Sequence, residues 1–196
     1  MCKNKIDSLC VINEEQAINL YYSACAFRNN ALLMIKYPNI LGSESLTYSP
    51  IIVNGFLAIE LYLKYLKAYE CFQKKEPISF YKVHNLKLLF KDLSDELRKE
   101  IIESIKQCNY DEEYMKKFLK KHCNDFVEHR YLVKNKNYSN DVSFVIKLNK
   151  SLYDISHRIV NSRKMKINNN SFSYEYDKGL EEIVSSEMFR VGGKII

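Results

Sequence analysis

The chain has no tryptophan, and only three prolines and five glycines in 196 residues. So few turn-forming residues argue against a sandwich or barrel of many short strands and for a helical fold. There is no CxxC pair: the six cysteines (Cys2, Cys10, Cys25, Cys71, Cys108, Cys123) are scattered. A disulfide framework belongs to shorter secreted chains, and the opening MCKNKIDSLCVINEEQ contains no continuous apolar stretch of the signal-peptide kind. The expectation is a cytoplasmic protein with reduced, mostly buried thiols. His122 beside Cys123 is too little for zinc, so no metal and no cofactor are expected. No glycine-rich phosphate loop is present, because VGGK near the C-terminus is not followed by a helix. Nor is there a membrane span: the most apolar run, IIVNGFLAIELYLKYL, carries Asn54, Glu60 and Lys64.

What is present is ordinary for a soluble helical domain, with 46% hydrophobic and 28% charged residues. The length suits one domain with a full core and an appendage. The net charge of +6 is regional. Residues 114–166 hold thirteen Lys/Arg against four Asp/Glu, whereas the remainder is slightly acidic. Such a basic region fits an anionic partner, nucleic acid above all.

Periodicity lays out the helices. Asn13 caps a first helix from Glu14 to Tyr37, with Ala17, Leu20, Tyr21, Ala24, Phe27, Ala31 and Met34 at helical spacing and Pro38 beyond its end. Ser49 and Pro50 signal the start of a second helix reaching Phe72, apolar almost all round and therefore central. The polar stretch QKKEPIS reads as a loop. A short helix follows from near His84, then one capped by Ser94, one from Asp111 to Val133, and one from Val142 to Ser162. The domain is thus residues 1–162, and residues 163–196 form a polar linker with a short amphipathic tail. In that tail Leu180, Ile183, Val184 and Met188 share one face, suited to docking on its own domain or on another chain.

On a wheel, Met115, Leu119, His122, Phe126, His129, Arg130 and Val133 fall within one narrow arc of the fifth helix. Three ionisable residues thus interrupt an apolar seam, and Arg130 needs a carboxylate or a wet cleft. Glu60, stranded on an apolar face of the central helix, is the natural partner. Lys64, four residues on, is a competing one.

The order of a long first helix, FLAIELYLKYL, HNLKLLF and an F-x-E-x-R-Y helix resembles the HEPN superfamily of small α-helical bundle proteins over residues 14–162. Where many bacterial members carry Trp-Arg-Tyr, this chain has His129-Arg130-Tyr131. The resemblance implies an all-α, HEPN-like antiparallel bundle that forms a homodimer, of a kind found in toxin–antitoxin and phage-defence systems. It also implies descent from metal-independent ribonucleases, whose Arg stabilises the scissile phosphate while a His a few positions later moves protons. Here no His follows Arg130 within that distance.

The functional expectation is therefore a binding or regulatory protein with a degenerate ribonuclease site, contacting RNA or a protein partner. A second reading is a metal-independent endoribonuclease using Arg130 with His129 or His122, and Glu60 nearby. A third is a purely structural or interaction protein, in which Arg130 and Glu60 pair and the histidines pack. For nucleic-acid contact the candidates are Lys116 and Lys120 on the outer face of the fifth helix, with Lys134 and Lys136 beyond it. A solvated face is the plainer explanation for such a lysine run.

Overall fold

The computed structural model describes residues 9–37, 44–122, 139–162, 190–191 and 194–195, with side chains over 9–37, 50–122 and 142–162. The fold is mostly helical. Helix α1 (Glu14–Lys36) starts at the expected cap, Asn13, whose side chain accepts the N–H of Gln16 at 2.8 Å. The Gln16 side chain returns a bond to the Asn13 N–H at 3.0 Å, completing a capping box.

Helix α2 (Glu44–Gln73) is the axis of the molecule, packing against α1, the last long helix, α3 and a short strand. It starts earlier than Ser49-Pro50 suggests, and Pro50 lies inside it. Proline removes one ladder bond, but its fixed φ is a helical one, so the backbone can run through it. Ile52, Phe56, Ile59, Tyr62, Leu63 and Leu66 are all buried, which bears out the expectation of a central helix apolar nearly all round.

After α2 come α3 (Leu86–Lys91), α4 (Asp95–Lys106), α5 (Glu112–Lys121) and α6 (Ser139–Ser162). Asn85, Ser94 and Asp111 cap α3, α4 and α5, each accepting a backbone N–H three residues on. Helix α5 does not continue to Val133. It stops at Lys121 with His122 as its C-cap. The apolar repeat continues past that point, but a period can persist in sequence across a break in the backbone.

A two-stranded ribbon went unread in the sequence. Strand β1 (Leu9–Val11) pairs antiparallel with β2 (Ser79–Tyr81), with Cys10 opposite Phe80. It forms because α1 and α2 bring the residues before one helix beside those after the other, and Ile12 N–H adds a bond to the Ile78 carbonyl at 2.9 Å. Strands β3 (Arg190–Val191) and β4 (Lys194–Ile195) pair antiparallel.

Helices α2 and α6 pack closely against each other at Gly55. A Cβ there would stand 2.4 Å from Val145 Cγ1, so only glycine fits the crossing. Asn149 locks the same place, donating to the Gly55 carbonyl at 3.0 Å and to the Val145 carbonyl at 2.9 Å.

Candidate functional site

Glu60 sits in the middle of α2 and is 2% exposed. A carboxylate so deep must be hydrogen-bonded or neutralised. Lys64 Nζ, one turn on, donates to Oε1 at 2.7 Å, and His84 Nδ1 lies 3.1 Å from Oε1 and 3.0 Å from Oε2. The same ammonium stands 5.4 Å from the centre of the Phe80 ring. Glu60 thus pairs with Lys64, as the i,i+4 spacing allows, and His84 supplies a contact across to the chain before α3. The expectation that Arg130 is its partner involves a residue outside those described.

His122 is 1% exposed. Its ring lies 5.2 Å from that of Phe56 and 4.6 Å from that of Phe118, between α2 and α5. Met115 and Leu119 of the same seam are also buried. So is Phe118, which the wheel left out and which packs 4.5 Å from Phe144 of α6. This setting is that of a core histidine. His129, Arg130, Lys134 and Lys136 lie outside the described residues. Helix α5 ends at Lys121, and the relation of His122 to Arg130 lies outside the described residues.

Lys116 and Lys120 are both exposed on α5, as expected. Lys116 pairs with Glu112 at 2.5 Å, and Lys117 pairs with Glu113 at 2.8 Å. The Lys116 bond holds the Glu112 carboxyl below its usual value, and the Glu113 bond holds Lys117 above its own. Lys120 has no carboxylate within ion-pair distance among the described residues. These side chains border an open cleft of about 600 Å³ between α5 and the α3–α4 pair. Phe90, Ile102 and Leu119 line it, with lysines contributed by all three helices.

A second polar cluster was not anticipated. Arg28 of α1 is 3% exposed, and its guanidinium carbon stands 4.3 Å from the centre of the Tyr153 ring on α6. Its Nη1 donates to Asn29 at 3.1 Å. Nearby, Tyr62 donates to Cys25 Sγ at 3.4 Å, and Tyr21 shares a bond with His157 Nδ1 at 2.8 Å. Burial, with Cys25 close by, pushes the Tyr62 phenol well above its ordinary value, and Arg28 opposes the shift in part. The signal was present: Ala17, Tyr21, Ala24 and Ala31 step along the buried face of α1 at intervals that pass through position 28.

Among the described residues no three His, Cys, Asp or Glu side chains converge as a metal site, and no helix is long and apolar enough to cross a membrane. No protein-family model, curated protein or solved structure matches this chain.

Proposed function

We propose that the chain is a HEPN-like binding or regulatory protein, a homodimer of a bacterial defence or toxin–antitoxin type system, that contacts RNA or a protein partner through a basic face. The reading rests on the resemblance carried by FLAIELYLKYL, HNLKLLF and the F-x-E-x-R-Y segment, together with the way Glu60 is used. The observation that carries it is the Glu60–Lys64–His84 cluster. The carboxylate at the middle of the central helix is buried and already held by two cationic or protonatable side chains, so it serves as scaffold. His122, enclosed between Phe56 and Phe118, is poorly placed to exchange protons with a substrate. With no His following Arg130 at the ribonuclease spacing, catalytic parts are few, whereas the exposed lysines of α5 offer an anion-attracting face.

The test is to incubate the purified chain with mixed labelled RNA in EDTA, beside an Arg130→Ala variant. Gel shift without cleavage, in both proteins, is the expected result. Metal-free cleavage abolished by Arg130→Ala would replace this reading with that of an endoribonuclease.

A further inference from the structure

The cleft between α5 and the α3–α4 pair specifies a partner more closely than a basic face does, and the inference rests on the binding role proposed above. We propose that this cleft docks an acidic amphipathic segment of a partner protein, apolar side chains down and carboxylates toward the rim.

The charge balance is the first argument. Seven cationic side chains border the cleft against three acidic ones. The three acids are already engaged: Asp95 with Arg98, Glu112 with Lys116, and Glu113 with Lys117. Among the described residues Lys87, Lys91, Lys99 and Lys120 have no carboxylate within ion-pair distance, and they come from all three helices, α3, α4 and α5. Four uncompensated ammonium groups around one opening favour an anionic occupant.

The floor decides which kind. It is built from Phe90, Ile102 and Leu119 and the methylene stems of the surrounding lysines. Phosphate backbone gains nothing from such a floor, and single-stranded RNA gains from aromatic faces on which bases stack. Among the described residues Phe90 is the only aromatic one there, and it is 7% exposed, with little ring face to offer. Aliphatic side chains do fit. At about 600 Å³ the cleft has room for a few of them, in the size range of pockets that accept discrete ligands. An amphipathic segment with Leu-type anchors at i, i+3, i+4 and flanking Asp or Glu satisfies floor and rim together.

The experiment uses the full chain and fluorescence polarisation with three labelled probes. These are a Leu/Glu amphipathic 14-mer, its Leu/Gln counterpart and a 14-nucleotide single-stranded RNA. Expected are preferential binding of the Leu/Glu peptide, weakening of about tenfold in a Lys87→Glu/Lys120→Glu double variant, and loss in Ile102→Glu, with Lys82→Glu unchanged. Circular dichroism on each variant separates loss of the cleft from loss of the fold. Equal affinity for the Leu/Gln peptide overturns the proposal, as does RNA binding that depends on Lys87 and Lys120 without peptide binding. Binding of the Leu/Glu peptide only after deletion of residues 163–196 also overturns it, since the occupant is then the chain's own tail. Metal-free RNA cleavage that persists in the double variant would refute the proposed function while leaving the peptide result standing, so the two can fail separately.

Discussion

His84 Nδ1 stands 3.0 Å from Glu60 Oε2, which joins a ring more than half in solvent to a carboxylate in the core. The two contacts made by Glu60 are therefore unequal. Lys64 is buried with it, so its ammonium depends on that carboxylate, whereas His84 can turn to water.

Glu60→Gln should destabilise the fold by about 3 kcal/mol, because it leaves a buried ammonium without its counter-charge. His84→Ala should cost at most about 1 kcal/mol, as for other partly exposed pairs. Urea unfolding of the two variants measures both. Equal losses would mean that Lys64 is not the main partner.

Gly55→Ala should destabilise by about 1–3 kcal/mol, even though alanine is the better helix former, because the new methyl meets Val145 Cγ1. Adding Val145→Ala should recover part of that loss. A double-mutant cycle with strictly additive effects would show that α2 and α6 adjust elsewhere.

Tyr62 gives the fold an alkaline limit. A phenol whose folded pKa is raised contributes stability that is complete below its unfolded value near 10 and is lost as pH climbs toward the folded value. Between about pH 9 and 11 the parent should lose stability faster than Tyr62→Phe, while at pH 7 the two should differ little, the lost bond being a weak one to sulfur. Thermal melts across that range decide it. Parallel loss in both proteins would move the effect to other tyrosines.

Arg28→Lys should cost about 1–2 kcal/mol, since a lysine cannot lay a flat cation across the Tyr153 ring. Full stability in Arg28→Lys would reduce the arginine to a point charge.

How much of this the sequence revealed follows from what each feature depends on. The caps at Asn13 and Ser94 are local, needing only a side chain and an N–H three residues away, and they lie where they were expected. The Glu60–Lys64 pair is also local. The β1–β2 ribbon is not: three-residue strands have no period, and their pairing exists only because two helices carry them together. His84 reaches Glu60 across 24 residues for the same reason. Helix α5 ends at Lys121, earlier than the hydrophobic repeat suggested, because a cap depends on local backbone geometry that a period does not report.

The crossing at Gly55 also bears on the order in which the molecule assembles. Helices α1 and α2 are neighbours in the chain, so their contact closes only a short loop. The Asn149–Gly55 bond spans 94 residues and must wait for a far longer one. Helix α6 is therefore expected to complete the core last, leaving the face of α2 around Gly55 open to water until it arrives. Hydrogen exchange during refolding should find the α1–α2 amides protected before those of α6. A chain still being synthesised would carry that uncovered face until residues near 149 have emerged.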